Sequence, residues 1–331
     1  MDLTTSYLGF RLDHPFIAGA SPLGSRLDTV KRLEDAGCAA IVLHSLFEEQ
    51  VTFANQGRIG HLDPLAPEFK DALAHFPADA DYVFNPDGYA EHIVRVKRAV
   101  SVPVVASLNG TSAESWLRFG RVIEQAGADA LELNLYEVAT DDKVPGTLIE
   151  DQLLNMTIEM KRALRIPIAI KLSPFFTSLA NVARNLDRAG SDGLVLFNRF
   201  YQPDVDIRTM QPVTNVELSS SGELLLRLRW LAIFHGRVRP SLAVSGGVAT
   251  PDDGIKALLA GADAVQMVSA ILRHGPGHVK TMLTGLERWM EWQKIESLAD
   301  VRGRVSLEAV RNPAAFERGG YIRTLQSWKV G

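Results

Sequence analysis

The amino-acid sequence predicts an α/β fold, a (β/α)8 TIM barrel with long loops after several strands and a short N-terminal hairpin. Three observations predict it. Short, nearly continuous apolar runs recur eight times along 331 residues, as parallel strands buried on both faces require. Amphipathic stretches with apolar spacing near 3.6 stand between most of them. Several of those stretches close on Ala-Gly just before the next run, a weak internal repeat of βα units.

The eight strands are expected at 15–20, 39–45, 103–109, 130–136, 167–173, 193–199, 241–248 and 264–270. Helices are expected at 27–36, 113–126, 152–164, 179–189, 222–234 and 251–260, with the Ala-Gly stops at Gly37, Gly127, Gly190 and Gly261. A doubly wound sheet shares the alternation, but no Gly-x-Gly-x-x-Gly follows the first strand, and eight strands of similar spacing favour closure. Residues 1–14 are expected to form a hairpin covering the barrel bottom. Long loops follow strands two, four and six, at 46–88, 137–149 and 200–221; these lie on the face where barrel enzymes place their chemistry. Residues 289–331 carry no further βα unit and are expected to pack on the outside, so the whole chain 1–331 reads as one domain.

Composition narrows the function. The net charge of −4 provides no global basic field for nucleic acid or anionic lipid. The arginines at 227, 229, 237 and 239 read as a solvated rim. The single cysteine, Cys38, excludes an intramolecular disulfide and reads as a buried structural thiol. No run approaches the roughly 18 apolar residues of a membrane helix, and the first residues lack a secretory pattern. A soluble, cytoplasmic protein with no metal, no membrane and no nucleic-acid partner is expected.

Polar side chains mark the strand ends: Ser21, His44, Ser45, Asn109, Asn134, Lys171, Asn198, Gly246-Gly247 and Ser269. One Asn at a strand end is ordinarily a turn residue. Four amide or amine groups converging on one rim (Asn109, Asn134, Lys171, Asn198) point instead to a binding site. Lys171 closes the apolar strand Ile168-Ala-Ile-Lys171 and either snorkels to water or meets an anion. An ammonium about 4 Å from developing negative charge is worth on the order of 4 kcal/mol at an effective dielectric of 20, which suits an enolate, a Schiff base or an anionic reduced cofactor. Ala243-Val-Ser-Gly-Gly247 ends strand seven, and a helix opens at Thr250-Pro251-Asp252. Backbone N–H groups and a helix N-terminus there suit a phosphate, shared with the strand-eight segment Gln266-Met-Val268-Ser269.

Taken in order, residues 3–275 resemble the dihydroorotate dehydrogenase family of FMN-binding barrels. His14-Pro-Phe-Ile-Ala-Gly19-Ala20-Ser21 is similar to its first strand, and Asn85-Pro-Asp-Gly-Tyr89 to its Asn-x-x-Gly-Leu stretch. Leu131-Glu-Leu-Asn134-Leu resembles the start of its Asn-Leu-Ser-Cys-Pro-Asn motif, and Lys171-Leu-Ser-Pro its flavin-contacting lysine segment. The resemblance implies FMN held by Gly19, Ala20, Ser21, His44, Ser45, Asn109, Asn134, Lys171, Gly246, Gly247, Val268 and Ser269. It implies a small planar substrate held by Asn85, Asn134 and Asn198, and hydride transfer to the flavin from a CH–CH bond. A soluble electron acceptor, a homodimer and a place in pyrimidine biosynthesis come with it.

The chain departs from the family at the catalytic base. Where the family carries Cys or Ser in the strand-four loop, this chain reads Leu135-Tyr136-Glu137, with no Cys or Ser before Gly146. Glu137 and Tyr136 become the candidate bases beside Lys171, and dihydroorotate itself is expected to turn over weakly. The strand-two lysine of the soluble class is replaced by His44, which either bonds the ligand or sits satisfied in the rim. Two other readings stand beside this one: a phospho-sugar lyase or isomerase using Lys171, and a flavin-binding protein with altered catalysis.

Overall fold

The computed structural model describes residues 1–48, 86–110, 113–134, 138–199, 202–213 and 217–327. Its centre is a closed barrel of eight parallel strands. These are β3 (Phe16–Ala18), β4 (Ile41–Phe47), β5 (Val104–Asn109), β6 (Ala130–Asn134), β7 (Ile168–Leu172), β8 (Gly193–Leu196), β11 (Ser241–Ser245) and β12 (Ala264–Met267). Each lies within an apolar run read from the sequence, apart from two residues added to the end of β4. Helices α1 (Leu27–Asp35), α3 (Ala113–Gln125), α4 (Gly146–Ala163), α5 (Leu179–Ala189), α6 (Leu224–Phe234) and α7 (Pro251–Ala260) return the chain between strands. A further helix, α2 (Pro86–Ala99), was not anticipated: its first three residues fall within what the sequence suggested was a continuous loop. The loop after β8 carries its own ribbon, β9 (Asp204–Asp206) paired with β10 (Gln211–Val213).

Two apolar clusters hold the layers. The larger packs the outer faces of the strands against the helices, with Leu33, Ile93, Phe119, Met160, Leu186, Leu231 and Leu258 from the helical side. Each such side chain contributes roughly 1.5–3 kcal/mol relative to exposure. The smaller fills the lower barrel with Ile17, Val42, Val105, Ala130, Ala169, Val195, Ala243 and Ala264. Tyr7 and Leu8 plug it from below. They come from the expected hairpin, β1 (Thr5–Tyr7) with β2 (Phe10–Leu12), and the Leu8 N–H donates to Ser241 Oγ at 3.0 Å.

The βα repeat has a physical counterpart at the barrel bottom. Gly37, Gly127, Gly190 and Gly261 all take positive φ, as the Ala-Gly pattern requires. Two residues after the last three of them stand Asp129, Asp192 and Asp263. Each carboxylate accepts an N–H from the start of the preceding strand (Val104, Ile168 and Leu242, 2.7 Å each). Each also meets a cation: Lys97 at 2.6 Å, Lys161 at 2.5 Å and Arg302. One residue type thus ties three pairs of neighbouring strands, β5 to β6, β7 to β8 and β11 to β12.

Beyond β12, α8 (Ser269–His274) and α9 (His278–Gln293) complete the outer ring, so Trp289 lies inside a helix rather than opening the tail. In the following segment the Gly303, Val305 and Leu307 N–H groups donate to carbonyls of α6 and α7. Among the described residues the last element is α10 (Arg318–Ser327). Cys38 is buried, and desolvation pushes its thiol up to about 12, which makes it inert near neutral pH.

Candidate active site

Strand alternation and register assemble the barrel mouth. Asn109 pairs in register with Asn134, and Asn134 with Lys171, so three neighbouring strands present one polar row. The structure brings together Ser45, Asn134 and a residue the sequence reading missed, Ser107. Asn134 Nδ2 donates to Ser107 Oγ at 2.7 Å and to Ser45 Oγ at 3.4 Å, and the two hydroxyls meet at 2.7 Å.

One layer deeper lies a second missed group, Glu132. Period-two alternation from Asn134 points it inward, a signal legible in Leu131-Glu-Leu-Asn134. It is fully buried and accepts from Lys171 Nζ at 3.2 Å and from Gln266 Nε2 at 2.6 Å. Lys171 is only 7% exposed, so it does not snorkel to water; it meets an anion supplied by the protein itself.

His44 sits half-buried on the rim, and burial, with the charge of His92 second, lowers its pKa to about 4. The imidazole is therefore neutral at physiological pH. Its strand slips register against β5 between Val42 and Ser45, and Tyr89 of α2 occupies the break. The Tyr89 hydroxyl donates to the His44 carbonyl at 2.8 Å and accepts from the Ser107 N–H at 3.0 Å. Tyr89 thereby seats two strands whose side chains line the mouth.

The strand-seven and strand-eight ends form a polar turn. Gly246 and Gly247 have φ of +83° and +79°. The Gly247 N–H reaches Ser219 Oγ at 3.2 Å, and Ser219 Oγ reaches Ser269 Oγ at 2.9 Å. Arg273 fixes that strap by donating to the Ser219 and Leu218 carbonyls, both at 2.7 Å. The N-terminus of α7 is not the free anion site expected from Thr250-Pro251-Asp252. Asp253 Oδ2 accepts from the Ala249 and Thr250 N–H groups and from Ser221 Oγ (3.1, 3.0 and 2.6 Å). Burial pushes the Asp253 carboxyl up, yet these hydrogen bonds outweigh it and hold it below the usual range. A second correction concerns Arg227, read as rim. Its guanidinium is buried, donating to the Ser245 carbonyl at 2.5 Å and the Glu223 carbonyl at 2.7 Å.

Gly19 lies where β3 meets the end of β12: its N–H donates to the Met267 carbonyl at 3.0 Å, and a Cβ there would stand 2.8 Å from Val268. Ala20, Ser21 and Asn198 also stand at strand ends on this face, the Asn198 N–H bonded to the Leu172 carbonyl at 2.8 Å. Asn85, Tyr136 and Glu137 fall outside the described residues. Among the described residues no cluster of three His, Cys, Asp or Glu could hold a metal ion. The donors present suit a phosphate-bearing planar ring: a backbone N–H and two rotatable hydroxyls at one side, amides and an ammonium across the mouth.

A closed parallel barrel with this polar mouth defines a protein of the small-molecule-binding (β/α)8 class. Comparison narrows the class. The family model for dihydroorotate dehydrogenase matches residues 84–290, and the chain belongs to that family. It is 29% identical to the catalytic subunit of dihydroorotate dehydrogenase B (NAD(+)) of Thermoplasma acidophilum, over 91% of this chain and 98% of that protein. The corresponding subunit of Methanothermobacter thermautotrophicus is 27% identical, over 91% and 97%. The NAD-dependent dihydropyrimidine dehydrogenase subunit PreA of Escherichia coli (strain K12) is 24% identical, over 91% and 76%.

Proposed function

We propose that this chain is an FMN-dependent oxidoreductase that oxidises a CH–CH bond of dihydroorotate or a related small dihydropyrimidine. The observation that carries the reading is Lys171, buried at the barrel mouth in register with Asn134 and Asn109. Gly246, Gly247 and Ser269 would hold the phosphate, while Gly19, Ala20, Ser21, His44, Ser45, Asn109, Asn134, Lys171 and Val268 would line the ring. Asn85, Asn134 and Asn198 would orient the substrate. Bound flavin would supply the hydride acceptor. Tyr136 or Glu137 would take the proton, and a neutral His44 would offer a hydrogen bond without adding charge.

The phospho-sugar alternative fits less well. Schiff-base chemistry needs a free neutral amine, whereas Lys171 stands in an ion pair with Glu132. On the proposed reading the chain is one domain, works in the cytosol as a homodimer and passes electrons to a soluble acceptor. The names of its relatives make NAD(+) the first acceptor to test. The exposed Val205, Ile207 and Met210 of the β9–β10 ribbon offer apolar surface to a second copy.

The deciding experiment is an absorbance spectrum of purified protein, with a band near ~450 nm and about one FMN per chain expected. Protein that is colourless and takes up no added FMN refutes the proposal. Stopped-flow reduction should then be slow with dihydroorotate, well below ~10 s⁻¹, and faster with a related dihydropyrimidine. E137Q and Y136F separate the two candidate bases.

A further inference from the structure

Glu132 is a carboxylate with no solvent exposure, set inside the barrel one layer below the mouth. A buried carboxylate is costly unless it is paired and hydrogen-bonded. This one is paired on both oxygens. Oε1 accepts from Lys171 Nζ at 3.2 Å, and Oε2 accepts from the Gln266 amide at 2.6 Å. Three strands, β6, β7 and β12, thus send one polar side chain each to the same point on the barrel axis. Below them the phenol of Tyr7 remains protonated, its pKa raised first by burial and then by the charge of Glu132.

Two features separate this arrangement from ordinary core packing. Alternative residues of similar size would fill the same space without charge, and isosteric apolar replacements of buried ion pairs are commonly neutral or stabilising. The cation of the pair is also the group that closes the apolar strand β7 at the mouth. A lysine side chain has rotamer freedom that an unpaired ammonium would use to reach water. Glu132 removes that freedom.

We propose that Glu132 is a positioning residue: its carboxylate fixes the Lys171 ammonium at the barrel mouth and makes the net charge of the pair beneath the ligand zero. The proposal rests on the flavin reading above for its redox consequence, though not for the positioning itself. A ligand that gains negative charge on reduction meets a fixed cation whose field is trimmed by the anion behind it. Removing the anion should favour the reduced ligand, and removing the cation should favour the oxidised one.

Wild type, E132Q, K171M and the double variant are compared with and without FMN. In loaded protein, E132Q should shift the oxidised–reduced equilibrium at least tenfold toward reduced, about 30 mV upward for a two-electron couple. K171M should shift it the opposite way, and the double variant should return to within about threefold of wild type, since its charge is again zero. In protein without flavin, acylation of Lys171 followed by peptide mass spectrometry should be about tenfold faster in E132Q, because the ammonium is released from its partner. The proposal is overturned if Lys171 in folded E132Q acylates within twofold of wild type, or if both single variants move the potential in one direction. If wild type takes up no FMN, the functional reading fails, and the acylation rates alone still decide whether Glu132 holds Lys171. Should E132Q not fold, E132D keeps the charge but draws the carboxylate one methylene back from Lys171 Nζ; acylation of Lys171 more than twofold faster than in wild type is then expected, and any slower rate overturns the proposal.

Discussion

Gly247→Ala tests the strand-seven turn and the cradle together. A Cβ at this position would lie 2.6 Å from the Leu224 N atom and 2.8 Å from its Cα, both backbone atoms at the start of α6. The residue also holds φ at +79°, where an L side chain costs about 1–2 kcal/mol. Forcing the start of α6 aside adds an overpacking cost of about 1–3 kcal/mol, for a total of about 2–5 kcal/mol. Gly127→Ala is the control, since its φ is +89° but nothing lies within 4 Å of the new Cβ. At about 2–4 °C per kcal/mol, Gly127→Ala should lower Tm by about 2–8 °C and Gly247→Ala by about 4–20 °C. Circular dichroism melts measure both. Only Gly247→Ala should also weaken FMN uptake, because the N–H that points to Ser219 moves with the turn. Equal melting temperatures for the two variants would refute the packing argument, and unchanged uptake would refute the cradle.

Three further outcomes follow from the same geometry. Lys171→Met strands the buried Glu132 and should cost about 3–5 kcal/mol, most of it recovered in K171M/E132Q; denaturant unfolding of the four proteins gives the cycle, and additive costs would show that the pair is not coupled. His44 has a folded pKa of about 4, below its ordinary 6.5, so only the unfolded chain takes up its proton between those values. Its contribution is present above about pH 6.5 and is lost as pH falls toward 4, up to about 3 kcal/mol, so wild type and His44→Gln should diverge in that window; parallel stability curves would contradict the neutral buried imidazole. Tyr89→Phe leaves the Ser107 N–H and the His44 carbonyl short of a partner, a cost of about 1–3 kcal/mol in unfolding free energy, and an unchanged midpoint would show that water replaces the hydroxyl.

Much of the fold was legible because its signals are local. Continuous apolar runs identify parallel strands without reference to their neighbours, and an Ala-Gly stop reports a helix end from two residues. Helix α2 escaped because the reading of 46–88 as one loop ran past Pro86, although Pro at a helix start is favourable. Arg227 escaped for a different reason. Whether a guanidinium is solvated depends on which carbonyls stand opposite it, and those of Ser245 and Glu223 come from separate elements. The free helix end expected at Thr250 failed for a local reason: Asp253, in the first turn of the same helix, closes a capping box with Thr250, and Ser221 from the turn before α6 adds one more hydrogen bond to its carboxylate.

By itself the sequence determined the barrel class, the order of its eight strands and the row of polar strand ends, because each depends on periodicity or on residue type at a position along one chain segment. It also narrowed Lys171 to two settings, water or an anion, since an apolar strand gives a terminal ammonium no partner of its own. Only the tertiary structure excluded water and decided which anion Lys171 meets. Pairing of β6 with β7 carries Glu132 to Lys171, and closure of the barrel sets Gln266 of β12 against its other oxygen, across 39 and 134 residues of chain. Such contacts depend on strand register and barrel stagger, which belong to the assembled sheet rather than to any one strand.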